Sequence, residues 1–192
     1  MSHRISVINN IVDSKDLSFL ISKIKDFDKN TTLSVYKDNP CVLVAPETDE
    51  VISIIKKYSE IAIKLHKEKN GFVADLYTTE GFLSVWKEGS WAGVHTDSHA
   101  NYEFLQFSTV IYLNDDFTGG ETYFPNQDFL YTPKSGDILL FPSGGTEYVH
   151  GVKKVLSGNR YTIAMWHSSR RDKRHLKIYK KSGQPGIISH YV

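Results

Sequence analysis

One cysteine in 192 residues, Cys41, is the scarcest chemistry in this chain. An intrachain disulfide needs a second thiol and a cysteine-rich structural zinc site needs several, so both are excluded. A lone thiol also fits a reducing compartment. Charge excess is lacking as well. The 23 Lys and Arg nearly cancel the 22 Asp and Glu, leaving a formal net charge of +1. No global field therefore draws the chain to nucleic acid or to an anionic membrane surface. No apolar run nears the roughly 18 residues that a spanning helix requires. The opening MSHRISVINNIVDSKD has no apolar core of signal-peptide length. These absences predict a soluble, cytoplasmic protein without a membrane partner.

Aromatic residues are abundant, with eleven Tyr, ten Phe and three Trp, and they favour strands. Ile5–Val12 reads as a short strand. Asp13–Phe27 reads as a helix, with Asp13 or Ser14 as N-cap and apolar residues at Leu17, Leu20, Ile21 and Ile24. The stretch 31–46 is irregular or strand-like. A second helix is predicted over Glu47–Gly71, where Val51, Ile54, Ile55, Tyr58, Ile61 and Leu65 recur at helical spacing and Gly71 marks the stop.

From Gly71 the pattern changes to short aromatic and β-branched runs separated by turn residues: FLSVWKE, FLQFSTVIYLN, ETYFPN, DFLYTP, DILLFPS, YVHGVKKV and RYTIAMWHSS. Such a series predicts a mainly β jelly roll with the helices packed on one sheet. Gly119-Gly120 and Gly136-Asp137 read as turns. The layout is one domain over 1–192: helical support over 1–70, a jelly-roll core over 71–168 and a basic segment over 169–192. SSRRDKRHLKIYKK carries seven Lys or Arg against one acid, and reads as a solvated or frayed basic face. SGQPGIISHYV reads as a surface segment.

The stretch GVHTDSHANYEF sets His95 and Asp97 at i and i+2, on one face of an extended strand. Other histidines stand at positions 3, 66, 99, 150, 167, 175 and 190. A histidine and an acid on one strand, joined by His150 from a later one, make a two-His, one-carboxylate triad that leaves coordination positions open, as catalysis needs. His99 is a rival ligand, because HTDSH presents both imidazoles.

Phe82 to Trp166 resembles the prolyl 4-hydroxylase-like branch of the 2-oxoglutarate and Fe(II)-dependent oxygenases, through HTD, STVIYLNDDFTGGETYF, PKSGDILLFPS and HGVKKVLSGNRYTIAMW. The resemblance implies a double-stranded β-helix and an iron site of His95, Asp97 and His150. It implies Arg160 on the distal carboxylate of 2-oxoglutarate, with Tyr112 assisting. A planar guanidinium suits a carboxylate, since it offers a two-pronged donor set at fixed charge. If Arg160 points inward, strand alternation sends Thr162, Ala164 and Trp166 the same way and Tyr161, Ile163 and Met165 the other. Thr162 then adds a hydroxyl to the carboxylate site and Trp166 walls the pocket. The sequence departs from the pattern at Trp86, where many relatives have tyrosine. Trp86 and Trp91 are expected to reshape the substrate pocket.

The implied activity is a dioxygenase using Fe(II), 2-oxoglutarate and O2, with ascorbate as a reductant, that hydroxylates prolyl residues of a peptide or protein and yields succinate and CO2. Three alternatives stand beside it: an oxygenase of a free amino acid or small molecule, a nucleic-acid demethylase, and a non-catalytic jelly-roll binding module. The demethylase is disfavoured because Trp166 occupies the place of its second arginine. The binding module is disfavoured because it needs none of His95, Asp97, His150 and Arg160. Substrate choice is expected in loops at Leu76–Trp91 and Asp97–Phe104.

Overall fold

The computed structural model describes residues 4–28, 41–44, 48–99, 102–173, 175–179 and 185–189. The rest of the 31–46 stretch, most of the 180–192 tail, and His3 and His190 lie outside them. The elements are β1 (Ser6–Ile8), α1 (Ser14–Asp28), β2 (Cys41–Val44), α2 (Asp49–Asn70), β3 (Tyr77–Trp86), β4 (Ala92–His95), β5 (Phe107–Tyr112), β6 (Thr118–Gly119), β7 (Thr122–Phe124), β8 (Phe129–Tyr131), β9 (Ile138–Pro142), β10 (His150–Val152), β11 (Val155–Ser157), β12 (Arg160–Ser168), β13 (His175–Tyr179) and β14 (Pro185–Ser189).

Both helices start and stop on local chemistry. Asp13 Oδ1 accepts the Lys15 N–H at 2.8 Å, which makes Asp13 the cap of α1. Thr48 Oγ1 accepts the Val51 N–H at the start of α2. Gly71 ends α2 at φ 60, a left-handed conformation that glycine takes without steric cost. The helices cover one face of the larger sheet. Leu20, Ile24, Val51, Ile55, Tyr58 and Ala62 interlock there with Leu83, Val85, Ile111, Ile138, Leu140, Ile163 and Met165. Each fully buried aliphatic side chain contributes about 1.5–3 kcal/mol relative to exposure.

The larger sheet runs β1-β9-β5-β12-β3-β13-β14, with β2 also on β3; the smaller runs β4-β10-β7-β8. From β3 to β12 the chain passes back and forth between the two sheets, which is jelly-roll winding. The sheets close over the face of β3, β5 and β12 that the helices leave open. Asp137, in the turn before β9, ties distant segments together by accepting hydrogen bonds from Asn9 Nδ2, the Asn10 N–H and the Tyr131 hydroxyl.

Three sequence expectations change here. Leu76–Trp91 is mostly strand β3 rather than a loop. The tail holds two strands: β14 pairs antiparallel with β13, and β13 pairs parallel with β3, Lys177 opposite Glu80. Strand β4 ends at His95, so His95 and Asp97 do not share a strand.

Candidate active site

Three potential ligands meet where the smaller sheet faces the larger. His95 closes β4 and His150 opens β10, and the two are paired across the ladder. Their ring centroids lie 4.5 Å apart. Asp97 reaches the same point from just beyond β4. His95 Nε2 lies 3.6 Å from Asp97 Oδ1, and His150 Nε2 lies 3.7 Å from Asp97 Oδ2. One ligand atom from each residue lies within 4.8 Å of the other two. His99 is not in this cluster; it lines the outer mouth with Thr96, Tyr102 and Leu105.

Each imidazole is aimed by its other nitrogen. His95 Nδ1 is 2.8 Å from the Gly93 carbonyl and His150 Nδ1 is 3.2 Å from the Tyr148 carbonyl. A carbonyl only accepts, so each Nδ1 carries the proton, and in the neutral ring each Nε2 has a lone pair available to a cation set between it and Asp97. Asp97 is fixed by a serine relay. The Ser108 hydroxyl donates to Asp97 Oδ2 at 2.6 Å, and Ser143 Oγ lies 2.8 Å from Ser108 Oγ. The Ser98 N–H donates to the Ser143 carbonyl, which pins the loop itself.

The electrostatics suit a cation. Burial alone would raise the Asp97 carboxyl, but the two imidazoles and the Ser108 hydroxyl hold it below the usual carboxylate value. Burial opposes protonation of His95, yet Asp97 and the Gly93 carbonyl outweigh it and raise its value. Burial is the chief cause that lowers His150 and keeps it neutral. Two aimed nitrogens and one carboxylate fit a first-row divalent ion, and the absence of thiolate disfavours a soft metal.

A cavity of about 70 Å³ opens from this cluster. Its floor is two strand rows. Arg160, Thr162, Ala164 and Trp166 line it from β12, while Phe82, Ser84 and Trp86 line it from β3. Tyr161, Ile163 and Met165 pack in the core on the other face, as alternation requires. Arg160 is 2% exposed. Its guanidinium carbon lies 5.2 Å from the Trp86 ring and 5.2 Å from the Tyr112 ring, held between two aromatic faces.

Tyr112 is fully buried behind Arg160, outside the cavity lining, with its hydroxyl 2.7 Å from Thr122 Oγ1. Trp91 is 52% exposed and does not line the cavity. Several contributors escape a sequence reading: Ser108, Ser143, Ser84, Thr122 and Gly120. Gly120, at φ +68, leaves room for the Arg160 stem; a Cβ there would sit 3.1 Å from Arg160 Cδ. Ser108 alone had a usable signal, since it lies two and four residues before Val110 and Tyr112 on one strand face.

Residues 81–168 match the model of the 2OG-Fe(II) oxygenase superfamily. Prolyl 3-hydroxylase 2 from Homo sapiens is 43% identical over 70 residues, which cover 34% of this chain and 10% of that protein. The chain thus matches about a tenth of the length of such curated relatives. The viral collagen prolyl hydroxylase from Paramecium Bursaria Chlorella virus-1 superposes with a TM-score of 0.66 at 18% identity, covering 88% of this chain and 98% of the viral one. A Pseudomonas putida prolyl-4-hydroxylase gives a TM-score of 0.70 at 16% identity, covering 88% and 94%. At these identities the structures share the fold, a double-stranded β-helix. Sequence match, winding and ligand cluster agree: over residues 81–168 the chain is similar to the 2OG-Fe(II) oxygenase superfamily.

Proposed function

We propose that this chain is an Fe(II)- and 2-oxoglutarate-dependent dioxygenase that hydroxylates prolyl residues of a peptide or protein, preferentially at C4, while converting 2-oxoglutarate to succinate and CO2. One observation carries the reading: His95, Asp97 and His150 converge at a cavity that also holds the buried guanidinium of Arg160. His95, Asp97 and His150 would hold Fe(II), which, with O2 and with ascorbate as reductant, supplies the oxidising chemistry.

The side chains do the rest by placement. The two Nε2 lone pairs and the Asp97 carboxylate are aimed before any ion arrives, because their second hydrogen bonds are already made. Arg160 would take the distal carboxylate of 2-oxoglutarate through a two-pronged contact, and Thr162 lies beside it. Phe82, Val110, Phe141, Val152 and Ala164 line the cavity with apolar surface. At the mouth, Phe82 and Trp166 stand with ring centroids 5.1 Å apart and shape an apolar edge suited to a pyrrolidine ring. No side chain is required as a nucleophile.

The test is incubation with Fe(II), 2-oxoglutarate and ascorbate against a panel of proline-containing peptides, with succinate and peptide mass read together. A gain of one oxygen, recovered as 4-hydroxyproline after hydrolysis, is the expected result. Recovery as 3-hydroxyproline would move the chemistry to C3, a second reading favoured by the name of the human relative. Succinate without peptide oxidation would point to a small-molecule substrate. No succinate under any condition, with metal bound, would leave a binding module.

A further inference from the structure

Trp86 does more than fill the place of a smaller aromatic. Its indole N–H donates to Ser84 Oγ at 3.0 Å, and Ser84 Oγ lies 2.7 Å from Thr162 Oγ1. All three residues are buried, Ser84 at 2% exposure and Thr162 at 1%. An indole only donates, and a hydroxyl has one proton to give. Either hydroxyl can donate in the Ser84–Thr162 pair; with its oxygen engaged by the indole, Ser84 giving its own proton to Thr162 is the order that runs head to tail. This head-to-tail order lets each bond polarise the next. The Thr162 proton then has no acceptor among the described residues, and Thr162 faces the cavity beside Arg160. The reverse order would set both hydrogen bonds converging on Ser84 and lose that polarisation.

We infer that Trp86, Ser84 and Thr162 form a proton-ordered relay that fixes Thr162 as a hydrogen-bond donor to the terminal carboxylate of the 2-oxo acid cosubstrate. Trp86 and Ser84 are positioning residues; Thr162 makes the contact. The inference rests on the proposed function and deepens it. The Arg160 guanidinium beside it is donor-only. It suits a carboxylate better than an amide, whose NH2 would face that guanidinium.

The relay is tested by calorimetric titration of 2-oxoglutarate into the Mn(II)-loaded protein, which binds without turnover. Thr162→Val is expected to weaken binding roughly 10-fold or more, the usual weight of a hydrogen bond to a charged group, and Thr162→Ser to restore most of it. Trp86→Phe keeps a ring over Arg160 but removes the N–H, and is expected to weaken binding roughly 3- to 10-fold. In the Thr162→Val background the same change is expected to cost less than about 2-fold, since the contact it orders is gone. If the Trp86→Phe loss carries undiminished into that background, or if Thr162→Val binds like the parent, the relay is overturned. Should Trp86→Phe fail to fold, Ser84→Ala breaks the same relay and must show the same non-additivity. A parent protein that binds Mn(II) but no 2-oxoglutarate would instead overturn the proposed function.

Discussion

His150 is the potential ligand set deepest in the core. It is 6% exposed, and its ring centroid lies 4.6 Å from Phe141 and 5.3 Å from Phe124. His150→Ala is expected to abolish succinate formation and to lose roughly 1–3 kcal/mol in urea unfolding, because the ring leaves a void among those phenyls. Retained turnover would remove His150 from the ligand set. Asp97 depends on a neighbour instead. Ser108→Ala removes one atom and opens no comparable hole, so the fold should hold while Mn(II) affinity drops roughly 10- to 100-fold, as for other partners of metal ligands. An EPR titration measures this; an unchanged affinity would show that Ser108 does not position Asp97. Arg160→Ala should raise the apparent KM for 2-oxoglutarate at least about 10-fold. In the sequence His95, Asp97 and His150 stood out only jointly, as a possible triad, and Arg160 only through the family resemblance. Ser84 and Thr122 were not legible, because a hydroxyl on a strand is ordinary until a partner's position gives it a task.

At the scale of elements, β12 does the most. It carries Arg160, Thr162 and Trp166 to the cavity and Tyr161, Ile163 and Met165 to the core, each by strict alternation. That division was readable because both faces of the strand are buried against different surroundings. Asp13 as the α1 cap and Gly71 as the α2 stop were readable too, from chemistry that acts within one turn, whereas Thr48 was read as part of the helix it caps. Strand β4 was misjudged: it stops at His95, and the loop beyond it is pinned by the Ser98 N–H to the Ser143 carbonyl, a contact that only tertiary structure supplies. The Gly119-Gly120 turn was recognised as a turn, but its packing was not. Gly120→Ala would place a side chain at φ +68 and 3.1 Å from Arg160 Cδ. Left-handed strain alone costs roughly 1–2 kcal/mol. The variant should therefore lose stability in thermal unfolding and bind 2-oxoglutarate more weakly; normal cosubstrate affinity would show that Arg160 is not crowded by this turn.

For the whole molecule, a buried polar chain joins helix α2 to the larger sheet. His66 Nε2 meets Thr109 Oγ1 at 2.9 Å, Thr109 Oγ1 meets His167 Nε2 at 2.8 Å, His167 Nδ1 meets Thr78 Oγ1 at 2.9 Å, and Thr78 meets Ser59 on α2 at 2.6 Å. Neither imidazole reaches water. Burial pushes His66 down to about 3, and burial together with the neighbouring His66 pushes His167 well below its ordinary value. In the unfolded chain both titrate near 6.5. The folded values lie below the unfolded ones, so the unfolded state binds more protons as pH falls. The stability from these two groups is complete above about 6.5 and is lost progressively on acidification, at roughly 1.4 kcal/mol per pH unit for each extra proton. His95 has the opposite sign, since its value is raised. Comparing the parent with His167→Gln at each pH cancels His95 and every other shared group. Urea unfolding between pH 7 and 5 should show a shallower decline for His167→Gln, by up to one proton, with a loss at pH 7 from the broken chain. Parallel declines in the two proteins would mean that His167 takes up its proton within the fold as readily as in the unfolded chain, and that helix α2 is not held to the sheet by a neutral imidazole.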